Sequence, residues 1–137
     1  MAKSLPSYND LLALSLYEQA IAHENERHRN RMAEIKRMQK ALEALEQHRE
    51  ALLRSGVRIF GDDISRFPDG SLYYRGTLTI DGQRMCGALL RSGWIVEKRG
   101  EGTYPTHVFK KGRLRLRVAS MSADALERAE ASIAAEA

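Results

Sequence analysis

The sequence predicts an α+β protein, in which a long N-terminal helix of the coiled-coil type precedes a small antiparallel β-rich module with a short helix and a C-terminal helix. Between Pro6 and Gly56 there is no glycine or proline, and apolar residues recur three and four positions apart. After Gly56, short apolar and aromatic runs alternate with glycine-containing turns. We therefore divide the chain into a helical stalk, residues 1–56, and a basic α+β module, residues 57–137.

The start and the end of the predicted helix carry local signals. Ser7 follows Pro6 and precedes Asp10 by three residues, as in a capping box with Asp in place of Glu. Ser55-Gly56 is a typical helix stop. A continuous helix between these signals is roughly 70 Å long at 1.5 Å per residue, which is longer than a lone globular domain of this size requires.

The apolar residues of this helix form a narrow stripe with a 3.5-residue repeat, which is typical of a seam between two helices. The stripe turns polar at Glu24, His28 and Arg31. Either these residues specify register in a long dimeric coiled coil, or the chain folds back near Asn25 or Asn30; the lack of glycine and proline favours a continuous helix. We expect a homodimer interface formed by Leu14, Tyr17, Ile21, Ile35, Met38, Leu42, Leu45 and Leu52.

The first half of the module contains several short strand candidates. We predict strands at 57–60, 64–67 and 72–80, with a turn at Pro68-Asp69-Gly70, a bulge at Gly76 and a second turn at Asp81-Gly82. Residues 83–92 fit a short helix that ends at Gly93, because Met85, Leu89 and Ser92 fall on helical spacing, but they also fit a strand. The pattern leaves these two alternatives open.

The second half of the module reads as a strand, a hairpin and a helix. Residues 94–98 predict a strand, and residues 107–118 predict a hairpin that turns at Lys110-Lys111-Gly112. A last helix begins near Ala123, with Ser122 as its cap.

Positive charge is concentrated in the module. Residues 57–119 contain 12 Lys and Arg against 6 Asp and Glu, which favours an acidic partner. Strict alternation from Arg113 to Val118 places three arginines on one side of a strand and three apolar residues on the other. Such a face suits phosphate binding; alternatively, it guards a sheet edge against aggregation. The predicted binding residues are Lys98, Arg99, Lys110, Lys111, Arg113, Arg115 and Arg117.

Several classes of chemistry find no support in the sequence. The single cysteine, Cys86, predicts a reduced thiol, and the four histidines lack the spacing of metal ligands. No phosphate loop is present, and no assembly of nucleophile, base and orienting group is evident. No segment resembles a signal peptide or is long and apolar enough to span a membrane. We therefore expect a cytoplasmic protein without cofactor, metal, membrane or small-molecule substrate.

One part of the chain resembles a known family. Leu89-Leu90, Gly93-Trp94 and the pair of strands that ends at Val118 follow the pattern of HicA-type mRNA interferase toxins, in which a short helix and three strands precede a closing helix. The family's catalytic histidine directly follows a Gly-Ser pair, whereas here residues 103–106 separate His107 from Gly102. The resemblance implies an RNA-cleaving enzyme that uses His107.

Taken together, these patterns predict a non-catalytic, homodimeric binding protein whose basic module engages nucleic acid or a nucleoprotein complex. Small, basic proteins without enzymatic motifs are frequent in phages and plasmids, as transcriptional accessories or as inhibitors of host defence such as anti-CRISPRs; this is an analogy of size and composition. Two alternatives remain: the HicA-like toxin, and a protein-only adaptor that docks through the broadly apolar helical segment at residues 11–22.

Overall fold

The computed structural model describes residues 7–75 and 82–136. The chain divides into two compact units, Met1–Arg37 and Met38–Ala137. The fold is mixed α+β, with five α-helices and a five-stranded sheet among the described residues. No helix within these two ranges is both long and apolar enough to cross a membrane.

The first unit contains two helices, α1 (Tyr8–Ala13) and α2 (Leu16–Arg37). The predicted capping box at Ser7 is present, because Ser7 Oγ accepts the backbone N–H of Asp10 and the Asp10 side chain accepts that of Ser7. A second capping box then interrupts the chain: Ser15 Oγ accepts the N–H of Glu18, and Glu18 accepts the N–H of Ser15, both at 3.1 Å. Helix α2 therefore starts anew at Leu16.

The predicted continuous helix is thus replaced by three helices. Besides the interruption at Ser15, α2 ends at Arg37 and α3 (Gln39–Arg54) begins after Met38, whose backbone has φ −86° and ψ −3°. Nothing in the local sequence explains the interruption at Met38. The fold-back alternative is also wrong, because α2 runs through Asn25 and Asn30 without a turn.

Both Ser-Gly stop signals of the sequence end a helix in the same way. After α3, Gly56 has φ +90° and the N–H of Val57 donates to the carbonyl of Leu52. After α4 (Gly82–Arg91), the N–H of Trp94 likewise donates to the carbonyl of Leu89. In each case the residue after the glycine and its carbonyl partner are both buried, as in a Schellman motif. Residues 82–91 are therefore a helix, which resolves the alternative that the sequence left open.

The second unit is built on a five-stranded sheet. Its strands are β1 (Ile64–Arg66), β2 (Leu72–Tyr74), β3 (Ile95–Lys98), β4 (Thr106–Lys111) and β5 (Leu114–Ala119), in the spatial order β1-β2-β5-β4-β3. Strand β5 lies at the centre, parallel to β2 and antiparallel to β4. The predicted hairpin at residues 107–118 and the turn at residues 68–70 are present. Residues 57–60, predicted as a strand, form none, although Val57 and Ile59 are buried. The predicted strand continuation, bulge and turn at residues 76–81 lie outside the described residues.

The two faces of the sheet differ in composition. Leu114, Leu116 and Val118 of β5 point to one face, and the register places Phe109 beside Leu116 and Tyr74 beside Val118. Helices α3, α4 and α5 (Ala125–Glu136) supply buried side chains to the core on this side, such as Leu52, Leu89 and Leu126. The other face carries Arg115 and Arg117 and is mostly exposed or half-exposed. The second unit is therefore a two-layer fold with one helix-covered face and one open face.

Gly100, in the loop between β3 and β4, is required by close packing of the backbone. A Cβ atom at this position would lie 2.4 Å from the carbonyl oxygen of Thr106 and 2.6 Å from its nitrogen. By contrast, a Cβ at Gly61 meets nothing within 4 Å, and Gly61 does not have a positive φ.

We predict that Gly100→Ala lowers the free energy of unfolding by about 1–3 kcal/mol, because backbone cannot retreat as a flexible side chain does. Gly61→Ala is the matched control and should change it by no more than about 0.5 kcal/mol. Chemical denaturation of the two variants beside the wild type provides the measurement. Equal stability of Gly100→Ala and Gly61→Ala would contradict the close approach at Gly100.

Candidate nucleic-acid interface

The open face of the sheet carries most of the basic residues that the sequence places on strands. Arg115 and Arg117 project from β5. The register places Lys110 beside Arg115, and it places both Val108 and Tyr73 beside Arg117. This arrangement follows directly from alternation in β5, whose opposite side chains are buried. The face therefore presents cationic and aromatic side chains from adjacent strands.

Arg117 is held by three groups of the β1–β2 hairpin. Its Nη2 donates to Asp69 Oδ2 at 2.8 Å, its Nε donates to Ser71 Oγ at 2.9 Å, and its guanidinium lies 4.6 Å from the ring centroid of Phe67. Phe67 in turn makes an edge contact with Tyr73. Hydrogen bonds from Ser71, followed by that from Arg117, hold the pKa of Asp69 far below its usual range. The hairpin and the central strand are thus joined by an ion pair.

Arg115 has an acidic partner on the edge strand. Its Nε lies 3.0 Å and 2.9 Å from the two carboxylate oxygens of Glu97 on β3. The hydrogen bond to Glu97 raises the pKa of Arg115. Because β4 lies between β3 and β5, this pair spans the face above Lys110 and Val108. Two of the three arginines of the predicted row are therefore paired with carboxylates.

The remaining predicted binding residues lie in different surroundings. Arg99 pairs with Glu130 of α5, and Lys111 donates to the backbone carbonyl of Ser92. Arg113 lies in the two-residue turn before β5, not on the strand. Lys98, Lys110 and Arg113 make no ion pair with any acidic residue in residues 7–75 and 82–136. The predicted cluster is thus brought together only in part, around Lys98, Lys110, Arg115 and Arg117.

His107, the catalytic candidate of the toxin alternative, lies on the helix-covered side. The register places it beside Val118, and only 3% of its surface is exposed. Its Nδ1 accepts the backbone N–H of Gly100 at 3.0 Å, and its buried Nε2 has no hydrogen-bond partner in the part of the chain that the structure describes. The neutral ring therefore carries its proton on Nε2.

The predicted dimer residues fall into two groups. In the second unit, Met38, Leu45 and Leu52 are at most 4% exposed within a single chain, and Leu42 is half-exposed beside an apolar cleft of about 290 Å³. The predicted dimer residues of the first unit are exposed or half-exposed, and no residue of α1 or α2 is buried. These predicted dimer residues are Leu14, Tyr17, Ile21 and Ile35. The homodimer stays a prediction; a second chain can reach Leu42 and the residues of the first unit, but not Met38, Leu45 or Leu52.

Sequence reasoning missed the acidic and aromatic partners on the open face. Asp69 and Ser71 belong to a turn that the sequence identifies, but only the parallel pairing of β2 with β5 brings that turn to Arg117. Glu97 lies on a strand that the sequence predicts, next to Val96. Only the strand order brings Glu97 within reach of Arg115. No signal in the local sequence indicates either partner.

Comparisons with known proteins provide no functional information. No protein-family model, no curated protein and no solved structure matches this chain. The HicA-type pattern at residues 89–118 therefore stays a resemblance. Among the described residues, no group of three or more His, Cys, Asp or Glu side chains is placed to hold a metal ion.

The surroundings of His107 predict a pH dependence of stability. Burial, and next the positive charge of Arg99, lower the pKa of His107 from 6.5, while Glu130 opposes the shift. Protonation of the neutral His107 ring would place a proton on Nδ1. That proton would face the N–H of Gly100, and Nδ1 could no longer accept the hydrogen bond from Gly100. A lowered native pKa means that the folded state binds fewer protons than the unfolded state, so stability is retained above pH 6.5 and lost as the pH falls towards the native pKa.

We expect the free energy of unfolding to decrease below pH 6.5, with a contribution from this one proton of at most about 1.4 kcal/mol per pH unit. His107→Gln should be less stable at neutral pH but should show a flatter profile in denaturation experiments between pH 8 and pH 5. His23→Gln, on exposed α2, is the control and should keep the wild-type profile. An unchanged profile for His107→Gln would refute this assignment.

Proposed function

We propose that this chain is a non-catalytic, homodimeric binding protein that engages nucleic acid, free or within a nucleoprotein complex, through the open face of its sheet. The observation that carries the proposal is the composition of that face. It combines strand-borne lysines and arginines with Tyr73 and Phe67 on a sheet layer that none of the described helices of the second unit covers. Sheets that bind single strands combine cationic groups for phosphates with aromatic rings that stack on bases.

The net charge of this surface supports an anionic partner. The face and its adjoining turn hold five basic residues, Lys98, Lys110, Arg113, Arg115 and Arg117, and two acidic ones, Asp69 and Glu97, so that five minus two leaves +3. The ion pairs fix the two guanidinium groups in position without cancelling the surface charge. We infer that Lys98, Lys110 and Arg113 supply the phosphate contacts, because they have no acidic partner among the described residues.

A nuclease activity is the less favoured alternative. His107 is buried behind the sheet, on the side opposite Arg115 and Arg117, whereas a general base must reach the atom from which it takes a proton. Cleavage of RNA by the purified protein, abolished in His107→Ala, would nevertheless overturn the non-catalytic assignment. The assignment to phages or plasmids and to inhibition of host defence stays a prediction from size and composition.

The test is binding to fluorescent single-stranded RNA, single-stranded DNA and duplex at several salt concentrations. In the triple variant Lys98→Gln/Lys110→Gln/Arg113→Gln, affinity should fall, and the log–log slope against salt should flatten by about two units, since each phosphate contact on a single strand contributes roughly 0.7. The matched control Lys40→Gln/Arg54→Gln/Arg84→Gln removes the same charge from exposed positions on α3 and α4 and should keep most of the slope.

Two results would contradict the proposal. Equal losses in both triple variants would mean that only net charge matters, not the open face. Absence of binding to all three nucleic acids at low salt, together with salt-insensitive capture of a single protein, would favour the protein-only adaptor.

A further inference from the structure

Helix α2 has two halves of opposite charge. Residues 16–26 contain three glutamates and no Lys or Arg, whereas residues 27–37 contain five Lys and Arg and one glutamate. The halves therefore carry −3 and +4, and the boundary falls at the midpoint of the helix, Leu16–Arg37.

The helix dipole does not account for this separation. It favours acidic residues in the first turn and basic residues in the last turn, and its effect is confined to those turns. Glu18, Lys36 and Arg37 satisfy that preference. Glu24, Arg27 and Arg31 lie outside both terminal turns, so the separation of charge extends through the middle of the helix.

Apart from Leu16 at its first position, the large apolar residues of α2 lie on one side, together with His28. At 100° per residue, Tyr17, Ile21, His28, Met32 and Ile35 fall within a stripe of about 60°. Tyr17, Ile21 and Met32 are 75%, 47% and 41% exposed, and no residue of α2 is buried. A 22-residue helix without tertiary burial is marginal in water, and its ion pairs contribute only a few tenths of a kcal/mol each. No residue of α2 along this stripe is therefore buried among the described parts of the chain.

A second copy of α2 fits this stripe in one orientation. In an antiparallel pair that overlaps along the whole helix, the acidic half of each copy lies against the basic half of the other. The core layers then pair Tyr17 with Ile35 of the second copy, Ile21 with Arg31, and Glu24 with His28. A parallel pair instead sets Glu24 against Glu24 and Arg31 against Arg31, which repel each other.

We propose that two copies of this chain associate through an antiparallel, twofold-symmetric contact between their α2 helices. The inference rests on the homodimer of the proposed function and specifies its interface and orientation. The opposite charges of the two halves select the second copy as the occupant of the stripe, since an isologous contact requires a surface that is complementary to itself.

Disulfide crosslinking of the full chain tests the orientation. Tyr17→Cys and Ile35→Cys, on chains that carry tags of different size, should crosslink to each other on mixing. In the antiparallel pair neither variant should crosslink to itself. The control pair Gln19→Cys and Ala33→Cys has the same register but lies on the far side of α2, and should not crosslink. Native Cys86 is buried and does not interfere.

Charge reversal tests the same contact without cysteine chemistry. Glu24→Lys and Arg31→Glu should each raise the dissociation constant in sedimentation equilibrium by roughly tenfold, because each occurs twice in the dimer. The double variant should recover most of the affinity, because Glu24 lies one core layer, about 4.5 Å along the axis, from Arg31 of the second copy. Within one chain Glu24 pairs with Arg27 at 2.8 Å and Arg31 pairs with Glu34, and the double variant disrupts both pairs. Recovery can therefore come only from the second copy.

Each other outcome overturns the inference. Self-crosslinking of Tyr17→Cys indicates a parallel pair, and a dimer that crosslinks at neither position uses another surface; both leave the proposed homodimer intact. A monomer at the highest soluble concentration rejects the homodimer as well. Nucleic-acid binding by the open sheet face is measured separately and does not depend on these results.

Discussion

The alternation of side chains in β5 is the constraint on which the second unit depends. This strand is central, with β2 on one side and β4 on the other. Its apolar residues Leu116 and Val118 are fully buried, while Arg115 and Arg117 point the opposite way. A slip of one residue would exchange the two sets and bury both guanidinium groups. The register of β5 therefore fixes the covered face, the open face and the positions of Arg115 and Arg117 at once.

The open face is organised by ion pairs and does not present a row of unshielded arginines. Asp69 and Glu97 approach from opposite sides, so that acidic groups flank the two arginines of the central strand. An exposed pair of this kind adds little stability. Its consequence is geometric: Arg117 is fixed against Phe67, and Lys110 lies beside Arg115 as a cation without an acidic partner among the described residues. An anionic ligand would meet preorganised guanidinium groups beside freely oriented ammonium groups.

The two units reach stability by different means. The second unit buries Trp94, Phe109 and Tyr74 in a core of its own. No residue between 7 and 37 is buried, and the helices of the first unit are supported by capping boxes and by ion pairs three residues apart, such as Glu24 with Arg27 and Glu26 with Arg29. Local interactions of this kind define where helices start, but they do not supply the free energy that apolar burial provides. Association with a second copy would supply that burial to the first unit.

The sequence by itself determined the features that depend on neighbours in the chain. The α+β class, the Gly56 stop, the hairpin at residues 107–118 and the alternation of β5 all follow from local periodicity and turn chemistry. Periodicity could not distinguish a seam between two chains from packing within one, because both use the same apolar stripe. The tertiary structure decided that Met38, Leu45 and Leu52 are buried inside a single chain. It also decided that residues 82–91 are helical and that Val57 is buried without forming a strand.

The candidate site also combines residues whose positions the sequence predicts with residues that only the tertiary structure brings together. That Arg115 and Arg117 share a face could be predicted, because side chains two positions apart on a strand always do. The same rule placed Arg113 with them, and the structure instead gives that residue to the turn. The acidic partners could not be predicted, because Asp69 is 48 residues from Arg117 and Glu97 is 18 residues from Arg115. Strand order brings them together, and strand order depends on the burial of the whole sheet, which no local pattern encodes.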